Sequence, residues 1–171
     1  MSEKLDRILE YCDLETRLQH GTGLNGSERA RLDRLREQMS AHVPSLDDRD
    51  PYTLLSEPLP AQVITGSRVV TGQLRNVSPA GIALAVDAPP PNLSERARVV
   101  VRDAQHGLEY AFVGTVVSRV VKGSFGMALQ LENIPSKLRM GGRSGVFPRG
   151  GVTEVSPAAP ASTEKRANKK S

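Results

Sequence analysis

Apolar residues recur at two different periods along the chain, and the switch between them divides it. Over residues 3–20, Leu5, Ile8, Leu9 and Cys12 keep the three-to-four spacing of one helix face, and Tyr11, Leu14 and Leu18 form an adjacent stripe. Leu, Glu and Arg dominate here, residues that lose little side-chain freedom in a helix. The pattern stops in GTGLNG at 21–26, after which Ser27 is placed to cap a second helix over about 28–42, with the stripe Leu32, Leu35, Met39 and Val43. Together these predict an antiparallel helical hairpin over 1–43. Two helices of this length bury too little against each other to be stable alone. Either the hairpin packs on the rest of the chain, or its Leu32, Leu35 and Met39 stripe self-associates or takes up a partner helix.

Residues 44–58 (PSLDDRDPYTLLSEP) carry no periodicity and read as an acidic linker. Beyond them the period falls to two and β-branched residues take over. Six strands are predicted, at about 59–65, 68–76, 82–87, 97–103, 108–121 and 125–132, separated by Gly-, Pro-, Asn- and Ser-containing turns. Short strands at close spacing without intervening helices indicate a small antiparallel barrel or sandwich over 59–135. The fifth segment is long enough to bend, with Gly114 as the expected bulge. From 136 to 171 Gly, Pro, Ala, Ser and Lys prevail, which predicts a flexible basic tail, disordered over 156–171.

Composition narrows the function. The 171 residues contain one cysteine, so an intramolecular disulfide is impossible and a reducing, cytoplasmic setting is expected. No apolar run reaches membrane-spanning length, and the charged N-terminus lacks the apolar stretch of a secretion signal. The net charge of +4 is unevenly placed: residues 137–171 carry +6, whereas 1–136 carry −2. The basic character therefore belongs to the tail. With no aromatic after Phe147, a nucleic-acid role is the weakest option.

Catalytic chemistry finds little support. GTGLNG fits the G-x-G-x-x-G string of dinucleotide sites, but a helix precedes it where that chemistry needs a strand, so it reads as a helix–helix turn. His20, His42 and His106 are scattered and have no second cysteine to join them, which leaves no metal-ligand spacing. Ser144 lacks the strand–turn–helix setting of a nucleophile elbow. Cys12 sits on an apolar stripe and reads as a small core residue. The chain is expected not to be an enzyme, and to hold neither metal nor cofactor.

The informative string is NVSPAG at 76–81, between the second and third predicted strands. Asn76 and Ser78 are able to fix a turn through neighbouring backbone groups, and Gly81 permits a positive φ. On a barrel rim the same polar groups are also suited to a purine edge. A string of this type arises in a chain of this size about one time in ten from composition alone, so its position carries the weight.

With that position, residues 59–135 resemble a PilZ domain, the six-stranded barrel of bacterial cyclic di-GMP receptors. The likeness rests on the strand count, on Asn76, Ser78 and Gly81 in the D/N-x-S-x-x-G element, and on GMALQLENIP (126–135) as the closing strand. It implies a mainly β fold, a six-stranded antiparallel barrel carrying the helical hairpin, and a non-enzymatic regulatory role, for instance in motility or polysaccharide control. The family also has an R-x-x-x-R motif ahead of the first strand, whose guanidiniums grip the ligand's phosphates. Here the chain departs from the family. Residues 44–58 hold one basic residue, Arg49, against Asp47, Asp48, Asp50 and Glu57. Charge-assisted hydrogen bonds contribute about 1.5–3 kcal/mol each. Losing two lowers affinity roughly 10²- to 10⁴-fold.

Two other pairs fit the spacing, Arg98 with Arg102 in the fourth strand and Arg139 with Arg143 after the barrel, and neither is at the family's position. Three readings follow. The first is a regulatory module with a degenerate cyclic di-GMP site that works through protein contacts. The second is a working receptor that combines 76–81 with a non-standard arginine source. The third is an assembly protein that oligomerises through the hairpin.

Overall fold

The computed structural model describes residues 2–140 and, as backbone, 152–154. Helix α1 spans Ser2–Gln19 and α2 spans Gly26–Glu37. The turn between them relies on Gly21 and Gly23, both at φ +72°, where a side chain would be strained. Asn25, not Ser27, caps α2. Its Oδ1 accepts from the Glu28 amide at 2.8 Å while Glu28 Oε2 accepts from the Asn25 amide at 2.9 Å, a reciprocal capping box. Helix α2 also stops at Glu37, short of the expected 42.

The two stripes of α1 serve different partners. Leu5 and Ile8 enter the barrel core, with Leu9 and Cys12 packed beside them. Leu14 joins Leu24, Leu32 and Leu35 in a second cluster between the helices, against which Tyr11 packs. Met39 touches both clusters. The hairpin therefore docks on the barrel. Leu32 and Leu35 are 1% and 0% exposed, so of the two alternatives for the stripe at Leu32, Leu35 and Met39 this structure takes packing within the chain. Ion pairs fix the register of the helices: Arg31 makes a two-pronged contact to Glu10 at 2.9 Å, and Arg36 meets Glu15 at 2.8 Å.

Six strands close the barrel: β1 (Leu54–Ile64), β2 (Arg68–Val77), β3 (Gly81–Val86), β4 (Arg96–Asp103), β5 (Leu108–Val120) and β6 (Phe125–Leu131). All pairings are antiparallel, in the order β1-β4-β5-β6-β3-β2, and β2 returns to β1. Alternation delivers Val63, Leu74, Leu84, Val99, Phe112 and Leu129 to a shared interior. The extra residue in β5 is Val117, since Val116 pairs with Leu129 and Ser118 with Ala128. Gly114 has a different task. A Cβ there would lie 2.0 Å from the Gln130 carbonyl oxygen, so the glycine lets β5 and β6 approach.

Two further strands extend the sheet into the region read as a flexible tail. Strand β7 (Ser136–Arg139) pairs with 108–111 of β5, and β8 (Val152–Glu154) pairs with 68–70 of β2. The segment expected to be disordered, 156–171, lies outside the described residues.

Candidate functional site

The motif at 76–81 begins on an irregularity. Leu74 pairs with Leu84 and Asn76 with Ala83, so Arg75 is an extra residue in β2. The bulge re-aims the side chains that follow. Asn76 and Ser78 consequently turn inward and are 0% and 1% exposed.

Both side chains are engaged by residues 42–53. Asn76 Nδ2 donates to the Ser45 carbonyl at 3.0 Å, and Thr53 Oγ1 donates to Asn76 Oδ1 at 3.5 Å. Ser78 Oγ donates to the His42 carbonyl at 2.7 Å and accepts from the amides of Gly81 at 3.1 Å and Ala80 at 3.2 Å. The Val77 amide adds a backbone bond to the Thr53 carbonyl at 2.9 Å.

This segment is a strap, not the loose linker expected for 44–58. Its acidic residues shape it: Asp48 accepts from the Asp50 amide at 3.0 Å, and Asp50 accepts from the Tyr52 amide at 2.9 Å, two successive Asx turns. The Asp50 amide, and secondarily the His42 imidazole at 2.6 Å, hold the Asp48 carboxyl below its ordinary range. Lys4 of α1 pins the strap's end by donating to the Pro51 and Leu54 carbonyls at 2.8 and 2.7 Å, and burial pushes its amine below the usual value.

Glycines admit the strap closely. A Cβ on Gly81 would meet Val43 Cγ1 at 2.6 Å, and one on Gly126 would meet Leu46 Cδ1 at 1.8 Å. Gly81 is therefore needed for close approach; it is not among the glycines with a positive φ.

The candidate arginines lie elsewhere. Arg98 pairs with Ile64, which pairs with Val69 near the start of β2. Asn76 is toward the other end of that strand, about 23 Å away at the rise of a strand. Arg102 faces Glu109 across β4–β5, with its Nε at 3.2 Å from the carboxylate. Arg139 is exposed on β7 opposite Leu108, so it belongs to an ordered strand, not to the flexible stretch expected. Arg143 lies outside the described residues. None of the described three is brought to Asn76.

What the structure does place beside the motif is a small cavity of about 180 Å³, lined by Arg7, Met39, Tyr52, Ser78 and Pro79. Arg7 already pairs with Glu3 one helical turn earlier. Sequence reasoning missed Arg7 and Tyr52, because their nearness to 76–81 depends on how the hairpin docks. The signal available was the helix periodicity that puts Lys4 and Arg7 on one side of α1.

Among the described residues no group of three His, Cys, Asp or Glu is arranged to hold a metal, and no helix is long and apolar enough to cross a membrane. Burial raises the Cys12 thiol to about 11, consistent with a partly buried residue packed against the core.

Comparisons with known proteins bear on the fold. No curated protein matches the chain. Among solved structures it is similar to the Bacillus subtilis inhibitor of motility MotI/DgrA, with 18% identity and a TM-score of 0.40, over 51% of this chain and 44% of that one. The chain thus spans less than half the length of that protein. The family model for the PilZ domain matches residues 48–140, from within the strap through β7. With that match over more than half its length, and a closed six-stranded antiparallel barrel bearing an N-x-S-x-x-G element after the second strand, the chain belongs to the PilZ domain family.

Proposed function

We propose that this protein is a non-enzymatic, cytoplasmic PilZ-type regulatory module that acts through protein contacts, and that its cyclic di-GMP site is degenerate. The observation that carries the reading is the engagement of Asn76 and Ser78 by the protein's own strap. A ligand reaching these groups has to displace Val43, Ser45 and Leu46 from the rim. It also has to approach a segment with three aspartates and one arginine between 47 and 50, the wrong sign for a dianionic dinucleotide. Nothing in this role requires a metal or a cofactor.

The test is isothermal titration of the full chain with cyclic di-GMP. The reading expects no saturable heat at ligand concentrations up to about 100 μM, the range in which a micromolar site would be filled. Stoichiometric binding overturns it.

One observation favours a second reading, a working receptor with a non-standard arginine. Arg7 and Tyr52 line the cavity that reaches Ser78 and Pro79, supplying a guanidinium and an aromatic face. In that case binding is seen and Arg7→Ala abolishes it while Arg98→Ala and Arg139→Ala do not. Oligomerisation through the hairpin has no such support, since its apolar stripe is buried within the chain. Light scattering on the full chain addresses that reading, with a monomer expected.

A further inference from the structure

At the barrel end away from Asn76, the β1–β2 hairpin, the loop before β4 and the last turns of β5 surround an open bowl of about 690 Å³. Its lining includes Ser67, Arg68, Asn92, Ser94, Glu95 and Arg119. The arginines distinguish it. Five described arginines are partly buried: Arg17, Arg31, Arg68, Arg102 and Arg119. Arg17, Arg31 and Arg102 each pair with a glutamate. Arg68 and Arg119 have no carboxylate partner among the described residues, and both line this bowl. Partly buried charges are ordinarily paired, because leaving water unpaired is costly. Two guanidiniums without a carboxylate partner among the described residues, both lining one concavity, therefore ask for an anion.

The rest of the bowl is built to hold its shape. Arg119 Nη2 donates to the Pro90 carbonyl at 2.9 Å, and its buried Nε has no hydrogen-bond partner among the described residues. Consecutive prolines at 89–91 restrict the loop's backbone. Ser94 sits at φ +65°, the one non-glycine with a positive φ among the described residues, and its amide donates to the Val116 carbonyl at 2.8 Å. Glu95, the described carboxylate on the wall, accepts from the Asn92 amide at 2.9 Å and so serves the turn. The volume falls within the range of small-molecule sites and exceeds what a bare ion fills.

We propose that this bowl binds a small phosphorylated molecule by its phosphate, with Arg68 and Arg119 taking the phosphate oxygens and Ser67, Asn92 and Ser94 supplying neutral polar contacts. Two guanidiniums from different strands suit a doubly charged tetrahedral group, which presents oxygens in more than one plane. The site is separate from the family's motif and independent of whether cyclic di-GMP binds.

The experiment is a ¹⁵N-resolved NMR titration of the full chain with pyrophosphate at constant low ionic strength. Saturable shifts are expected at the amides of Ser67, Arg68, Asn92, Ser94 and Glu95. Arg68→Gln, a rim change that leaves the core untouched, weakens binding about tenfold or more. Arg119→Gln does the same, with its melting temperature read alongside because it also holds the Pro90 loop; if it fails to fold, Arg68→Gln decides alone. Arg98→Gln leaves affinity unchanged. Glu154→Gln, opposite Arg68 in the β2–β8 register, leaves affinity equal or tighter. Succinate binds at least about tenfold more weakly than pyrophosphate, as each of its planar, singly charged carboxylates offers fewer acceptor oxygens and less charge than a phosphate group and a charge-assisted contact is lost. The proposal is overturned by non-saturating shifts, by unchanged affinity in Arg68→Gln, by lost binding in Arg98→Gln or Glu154→Gln, or by succinate binding as tightly as pyrophosphate.

Discussion

Replacing Asn76 with alanine removes a carboxamide that sits at 0% exposure between β2 and the strap. Two groups lose their partner: the Ser45 carbonyl, bonded at 3.0 Å, and the Thr53 hydroxyl, at a looser 3.5 Å. Thr53 retains an alternative acceptor in the Asp50 carbonyl at 3.2 Å, so the Ser45 carbonyl dominates the loss. Stranding one buried acceptor costs about 1–3 kcal/mol. The small cavity left by the amide adds to this at about 24 cal/mol per Å³. The expected destabilisation is therefore about 2–3 kcal/mol, read as a lower urea midpoint with an unchanged slope. Asparagine to aspartate sharpens the test, because an ionised carboxylate has no proton to offer the Ser45 carbonyl and is buried besides. Burial raises the folded-state pKa of that aspartate above its unfolded value near 3.9. The penalty is then absent below the unfolded pKa, where both states are protonated, and grows as pH rises through the folded one. Asn76→Asp should approach wild-type stability in acid and lose it toward neutrality. If Asn76→Ala shifts stability by less than about 0.5 kcal/mol, the surface-substitution range, the residue is not a structural fastener and the reasoning is wrong.

Further outcomes follow from the packing. Ile8→Ala, in a side chain 2% exposed against the barrel core, should cost about 2–5 kcal/mol in denaturant unfolding; a loss confined to α1 exchange protection would show that the hairpin is a separate unit. Gly114→Ala forces a Cβ to within 2.0 Å of the Gln130 carbonyl oxygen, so β5 and β6 must separate locally; a loss of about 1–3 kcal/mol is expected, and a neutral result in thermal melts would place the strands differently. Cys12, with a thiol raised to about 11 by burial, should react with a thiol reagent at pH 8 far more slowly in the native protein than in urea; equal rates would contradict its packing.

Much of the barrel was legible in the sequence because alternation is a local signal. Each of the six predicted strands is present, with ends moved by a few residues except for β1, which begins at Leu54. That start was hidden because Ser56, Glu57 and Pro58 break the alternation between Leu55 and Leu59, where the β1–β2 register also slips. The strap was misread for a related reason. Asp48 and Asp50 look like solvated linker charges, yet each folds back on a backbone amide two residues on, a role that composition alone does not separate from disorder. The capping box was present in the spacing of Asn25 and Glu28, but Ser27 matched the simpler preference. For the candidate site, the string at 76–81 was visible, as was the local turn in which Ser78 accepts from the Ala80 and Gly81 amides; the strap partners of its side chains, His42, Ser45 and Thr53, come from more than twenty positions away, which no local pattern encodes. The same holds for Arg68 and Arg119, brought to one bowl only by barrel closure.

Whether the strap covers the motif in solution is tested most directly by amide hydrogen exchange of the full chain with and without cyclic di-GMP. The amides of Val77 and Gly81, bonded to Thr53 and Ser78, are predicted to be as protected as those of the β3–β6 ladder, and to stay unchanged when the dinucleotide is added. Rapid exchange at these positions, or a ligand-induced change there, would contradict it.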